Sequence, residues 1–150
     1  QTTLHAEGAA IIGRLVLQML REDSSIVGVG GLSMGADPIA TATAVASTQD
    51  GGPLIHSFYI RKEAKGHGTQ QYLEGLKNFP SGGRVVIVED TSTTGGSAYK
   101  GLQRAEAAGF EVAYILTVVD REEGARENLE EKGVTLKALV TREELLAAQV

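Results

Sequence analysis

Val85-Val86-Ile87-Val88 is an unbroken run of four β-branched residues that ends on two adjacent carboxylates, Glu89 and Asp90. Alternating polarity would mark a strand with one wet face. Its absence marks a strand buried on both faces, as in the middle of a parallel sheet. Both acids then fall at the carboxyl end of a central strand, where open α/β sheets bind their ligands. The residues that follow, Thr91, Ser92, Thr93, Thr94, Gly95, Gly96 and Ser97, are small, hydroxylated or glycine, and a helical pattern begins at their end. Backbone N–H groups beside a helix N-terminus form a ready anion site. A carboxylate is acceptor-only and suits the hydroxyls of a sugar. Strand, acidic pair, loop and helix together describe a site for a phosphorylated sugar. A side chain at Gly95 is expected to occupy the concave face of the loop and block phosphate.

The rest of the chain supplies the frame. His5 to Leu20 carries Ile11, Ile12, Leu15, Val16, Met19 and Leu20 at helical spacing, which predicts an amphipathic helix. A short strand is predicted at Ile26 to Gly30. Asp37-Pro38 reads as N-cap and first residue of a helix reaching about Ala46. Strands are predicted at Leu54 to Ile60, Val85 to Val88, Val112 to Val119 and Val134 to Val140. Ser97 to Ala108 is a predicted helix stopped by Gly109, Glu122 to Lys132 another, and Thr141-x-x-Glu144 a capping box for the last. Alternating strands and helices imply an α/β fold, a doubly wound and mainly parallel sheet flanked by helices. Residues 1–150 read as one domain.

Composition narrows the function. With 42% hydrophobic and 22% charged residues, the chain has enough apolar material for one core. No segment approaches the roughly twenty apolar residues of a membrane span, and no export signal is visible. Zero cysteines exclude disulfides, thiol catalysis and thiolate metal sites, and are compatible with the cytoplasmic location expected here. A net charge of -5 argues against a general nucleic-acid binder. Nucleotide motifs fail on residues: there is no Gly-Lys-Ser or Gly-Lys-Thr ending, and the third glycine of a dinucleotide fingerprint from Gly28 falls on Ser33. The histidines His5, His56 and His67 lack zinc-site spacing, and His5 and His56 are assigned no role.

Two further segments, read alone a solvated charged loop and a surface arginine, gain weight beside residues 84–98. Arg61-Lys62-Glu63-Ala64-Lys65-Gly66-His67-Gly68 concentrates cations directly after an apolar strand. Val118-Val119-Asp120-Arg121 ends another strand with a guanidinium, a planar fork suited to a carboxylate. Together with residues 84–98, these segments resemble the orotate phosphoribosyltransferases, within the type I phosphoribosyltransferases that use 5-phosphoribosyl 1-diphosphate (PRPP). The first matches that family's mobile catalytic loop, Arg-Lys-x-x-Lys-x-His-Gly, without a gap.

The resemblance implies transfer of ribose 5-phosphate from PRPP to orotate, releasing diphosphate and giving orotidine 5-phosphate for pyrimidine biosynthesis. It implies PRPP binding by Arg61, Lys62, Lys65, His67, Glu89, Asp90, Thr91, Ser92, Thr93, Thr94, Gly95, Gly96 and Ser97. Lys65, His67 and Asp90 are the implied catalytic residues, and Thr93 and Arg121 the implied orotate contacts. Mg²⁺ is the implied cofactor, held mainly by substrate and water with no direct protein ligand. A homodimer whose loops reach the neighbouring site is implied as well. Two departures stand out. Nothing before Thr3-Leu4-His5 corresponds to the hood over the base in family members, so the chain is expected to be truncated. Gly30 to Pro38 matches the diphosphate-side loop but lacks the lysine many members carry there. The alternatives are a phosphoribosyltransferase for another base and a non-catalytic PRPP-sensing regulator.

Overall fold

The computed structural model describes residues 1–67 and 72–149. After a 3-10 turn at Thr2–Leu4, the order is α1 (Ala6–Leu20), β1 (Ile26–Leu32), α2 (Asp37–Ser47), β2 (His56–Ile60), β3 (Leu73–Glu74) and β4 (Arg84–Ser92). Then follow α3 (Gly96–Ala107), β5 (Glu111–Asp120), α4 (Ala125–Glu130), β6 (Leu136–Thr141) and α5 (Arg142–Ala147). The sheet runs β3-β2-β1-β4-β5-β6. All neighbours are parallel except β2 and β3. The chain leaves β1 toward β2 on one side and returns to β4 on the other. The crevice at the carboxyl ends of β1 and β4 is therefore the topological switch point.

β4 shows why an apolar run without alternation belongs here. Val85, Val86, Ile87 and Val88 are all at most 1% exposed. Val86 and Val88 pack with Val16, Leu20, Ile39 and Ala40 of α1 and α2. Val85 and Ile87 point the other way, to Ala98, Leu102 and Ala105 of α3 and Leu129 of α4. β1 is built for close approach instead. A Cβ at Gly28 would lie 2.1 Å from the Phe79 ring, and one at Gly30 would lie 2.3 Å from the Phe58 carbonyl oxygen. The missing side chains make room for Phe58, Phe79 and Phe110, whose ring centroids stand 4.8–5.7 Å apart.

The elements differ from the sequence reading in identifiable places. β4 continues through Ser92, so the acidic pair lies inside the strand and the loop shrinks to Thr93–Gly95. Asp37 is the first helical residue of α2, behind Ala36 as N-cap, and its carboxylate accepts from the Ser33 hydroxyl at 3.0 Å. On α1 the buried stripe is Ile12, Val16, Leu17 and Leu20, while Ile11 and Leu15 are 49% and 43% exposed. His5 has a role after all: it is the N-cap of α1, its Nδ1 accepting from Gly8 N at 3.4 Å. α4 is shorter than Glu122 to Lys132 because Glu122 (φ +58°) and Gly124 (φ +98°) sit in left-handed conformations. The two-residue β3 has no counterpart in the predicted elements. Gly109 (φ +101°) does end α3, and the Thr141–Glu144 capping box is formed in both directions. Among the described residues no helix is long and apolar enough to cross a membrane.

Gly31 tests how tightly the switch point is packed. A Cβ there would stand 2.3 Å from the Val88 carbonyl oxygen and 2.7 Å from Ala36 Cβ. A backbone oxygen in a central strand cannot move aside cheaply. Gly31→Ala is expected to cost about 2 kcal/mol and lower Tm by roughly 4–8 °C in thermal melts followed by circular dichroism.

Candidate active site

Consecutive residues of a strand face opposite sides of the sheet, and this divides the acidic pair between two clefts. Glu89 turns toward α3 and lines a small cavity of about 120 Å³ with Thr91, Thr93, Thr94 and the Gly95–Ser97 turn. Asp90 turns toward α2 and lines a cleft of about 790 Å³ that includes Met34, Gly35, Asp37, Thr41 and Tyr59. The β1–α2 loop, whose Ser33–Met34 peptide is cis, closes over both acids. A Cβ at Gly35 would lie 3.1 Å from an oxygen of each carboxylate. The Tyr59 and Thr41 hydroxyls are hydrogen-bonded across the larger cleft.

The pair is electrostatically tense. Burial, then the hydrogen bond and charge of the adjacent Asp90, push the Glu89 carboxyl up to about 7, against the opposing pull of the Asp90 backbone amide and the Lys62 charge. Asp90 Oδ1 accepts from Thr91 N at 2.7 Å, which fixes its direction. Among the described residues no cluster of three His, Asp or Glu side chains is arranged to hold a metal.

The small cavity is a cradle of backbone and hydroxyl groups at the start of α3. Gly95 is its N-cap, with φ +84°. A Cβ on Gly95 would not enter the concave face, contrary to the sequence expectation. It would point into the protein, 3.1 Å from Leu129 and 3.5 Å from Ala125. Gly96 is the residue whose Cβ would enter open space, with Thr94 Oγ1 at 3.9 Å as its nearest neighbour. Ser92 stands apart: it is 3% exposed, and its hydroxyl has no hydrogen-bond partner among the described residues. Asn128 of α4 supports the turn from behind by donating to the Thr94 carbonyl at 3.0 Å.

Beside the larger cleft, Arg61, Lys62 and Glu63 line a third hollow of about 510 Å³ with Met34, Tyr59 and Glu74. Residues 61–67 are exposed, and Gly68 lies outside the described residues. Arg61 is paired with Glu74 of β3 at 2.7 Å, which holds the Glu74 carboxyl below its ordinary range. Arg61 N donates to the Tyr72 carbonyl at 2.6 Å. Arg104 of α3 donates to the Arg61 carbonyl at 2.6 Å and stacks 4.0 Å from the centre of the Tyr72 ring. Lys65 and His67 are not among the residues that line these clefts. Arg121 follows β5, half-exposed, next to the end of β4 through a bond from its N–H to the Ser92 carbonyl at 3.0 Å. The sequence reading assigned no part to Asn128, Arg104 or Glu74, because each acts on a residue far away in the chain and leaves no local pattern.

The fold, six mostly parallel strands flanked by helices, is that of the type I phosphoribosyltransferases. No protein-family model matches the chain. It is 46% identical over 141 residues to an orotate phosphoribosyltransferase of Nostoc sp., covering 94% of this chain and 66% of that one. It is 44% identical over 146 residues to the Aquifex aeolicus orotate phosphoribosyltransferase, covering 97% and 78%. The solved Mycobacterium tuberculosis H37Rv orotate phosphoribosyltransferase in complex with PRPP superposes with TM-score 0.80 at 38% identity, covering 96% of this chain and 79% of that one. The chain belongs to the orotate phosphoribosyltransferase family.

Gly95 and Gly96 are expected to fail differently. Gly95→Val should lower stability, through the positive φ and the crowding against Leu129. Gly96→Val should keep a near-native Tm and lose phosphate and PRPP affinity by tenfold or more, on the order of 1.4 kcal/mol. Paired melts and calorimetric titrations separate the two.

Glu89 carries a pH prediction. A carboxyl raised above its ordinary value favours the protonated folded state. Its contribution to stability is present below the unfolded value of 4.5 and is lost as pH rises through about 7. A ligand whose hydroxyls donate to Glu89 needs it ionised. Such a ligand should release up to one proton per site below pH 7, and its affinity should fall by up to about tenfold per pH unit there. Titrations in buffers of different ionisation enthalpy measure the proton count. Glu89→Gln should abolish it and bind like wild type only at the acid end.

Proposed function

We propose that this protein transfers ribose 5-phosphate from PRPP to a ring nitrogen of orotate, giving orotidine 5-phosphate and diphosphate. The observation that carries this reading is the division of Glu89 and Asp90 between the hydroxyl-rich cradle and the open cleft. One molecule with a phosphate at one end and a reacting anomeric carbon at the other fits that spacing of groups.

In this reading Thr93, Thr94, Gly95, Gly96 and Ser97 hold the 5-phosphate through backbone N–H and hydroxyl donors, with the positive end of α3 behind them. Thr91 lines the same cradle. Ser92 contributes through its backbone position, since its side chain is buried. Glu89 and Asp90 accept from the ribose hydroxyls. Departure of diphosphate leaves oxocarbenium character at the anomeric carbon, and the two carboxylates stabilise it. Lys62, Lys65 and His67 neutralise the charge growing on the diphosphate. Arg61 joins them by exchanging Glu74 for a substrate oxygen. Arg121 forks the orotate carboxylate and Thr93 borders the base. Orotate is already anionic, so no strong base is required.

Mg²⁺ suits this donor set. Asp90 in the open cleft and Glu89 in the adjoining cavity, each with a carboxylate oxygen close to Gly35, would hold the ion through water. When bound, the ion supplies further neutralisation of the leaving diphosphate. A homodimer in which Lys65 and His67 serve the neighbouring site is consistent with their exposure away from the clefts of their own chain. A cytoplasmic location accompanies this reading.

Initial rates with PRPP and Mg²⁺ across orotate, uracil, hypoxanthine and adenine test the assignment, with orotate expected as the preferred acceptor. Arg121→Ala should raise the orotate KM by at least tenfold, on the scale of a charged hydrogen-bonded pair, and leave the PRPP KM within about twofold. Lysine should restore only part of the loss, because it lacks the bidentate fork. Equal weakening of both substrates would remove Arg121 from the base site.

A further inference from the structure

The turn that carries Arg121 is rich in acids, and all but one are engaged in building it. Asp120 is 3% exposed and accepts from Glu122 N at 2.9 Å and from Arg126 Nη2 at 3.4 Å. Arg126 also donates to the Leu136 carbonyl at 2.8 Å, which ties the turn to β6. Glu122, in its left-handed conformation, accepts from Glu143 N at 3.0 Å, which ties the turn to α5. Arg121 N is held by the Ser92 carbonyl. The backbone of residues 120–122 is thus fastened to β4, β6 and α5. Glu123 is spent otherwise: its Oε1 lies 2.9 Å from Arg121 Nη2, with the two side chains 38% and 50% exposed.

We propose that Glu123 is a specificity-determining residue, an intramolecular competitor that occupies the Arg121 guanidinium until the carboxylate of the acceptor base displaces it. The inference rests on the reading of Arg121 as the carboxylate reader. A substrate carboxylate must break an existing ion pair and then sit beside the displaced Glu123 charge. Both effects weaken carboxylate-bearing bases and the carboxylate-bearing nucleotide product alike. A base without a carboxylate leaves the pair intact and incurs neither effect. Glu123 therefore tunes how much of the Arg121 fork is expressed as affinity, and it favours release of the product. The pair is exposed, so the effect is modest and screened by salt.

Glu123→Gln keeps the size of the side chain and removes the charge. It is expected to lower the orotate KM and the product inhibition constant by about two- to fivefold, the range of an exposed ion pair. The PRPP KM and inhibition by uracil should not change. The gain should be greatest at about 0.01 M ionic strength and should shrink toward 1 M, where the screening length falls to roughly 3 Å. In an Arg121→Ala background the same substitution should give a smaller gain for orotate, because only the repulsion by the Glu123 charge is then left to remove. Orotate affinity unchanged or weakened in Glu123→Gln, with Arg121→Ala still impairing orotate, overturns the competitor role alone. Arg121→Ala with a wild-type orotate KM overturns the base reading and this inference with it. A Glu123→Gln gain that persists unchanged at high salt, or that extends to uracil, also overturns it, because it would be structural.

Discussion

Two carboxylates on consecutive residues of a doubly buried strand cannot avoid each other's field, and the rest of the site is arranged around that constraint. The pleat sends Glu89 and Asp90 to opposite faces, but the backbone keeps them within one residue. The raised Glu89 carboxyl is the result, with desolvation the larger cause. A strand with a wet face would have relaxed this tension into solvent. Here Val85 to Val88 bury both faces and leave the acids as the first polar groups at the crevice. In the proposed reading, a polyhydroxylated, cation-bearing ligand would relieve this repulsion.

Glycine determines how closely the pieces approach. Gly28, Gly30 and Gly31 let neighbouring backbone and rings stand where a Cβ would collide, and Gly35 brings the β1–α2 loop onto both carboxylates. Arg104 adds a polar tie of a different kind. It belongs to the helix that opens on the cradle, yet it holds the stem of the cationic segment through Arg61 and Tyr72. The turn at the start of α3 and the first residue of the cationic segment are therefore joined through one helix.

The central strand was legible because β-branched residues without alternation have few other uses, and the last helix because Thr141 and Glu144 announce a cap within four positions. Residues whose role is set from a distance were not. Leu73–Glu74 pairs with β2 across an intervening segment, and two residues carry no periodicity. Ile11 and Leu15 extend the apolar stripe of α1, but the stripe is wider than the core it covers. The left-handed Glu122 shortens α4 at a residue type that gives no warning of it. At the site, the small-residue loop and the acidic pair stood out by order and spacing, whereas Arg121 was singled out only through the family resemblance. The direction in which Gly95 faces did not, because a residue without a side chain leaves no pattern to read.

That direction has a consequence beyond the cradle. Because Gly95 backs onto Leu129 and Ala125, the curvature of the turn that opens α3 is moulded by greasy side chains of a short helix behind it. Volume changes in that helix would pass into the turn as altered curvature, whereas changes on its wet side would not. If the turn holds phosphate as proposed, the oily interior under α4 is a place where its grip could be altered with every ligand-facing residue left alone.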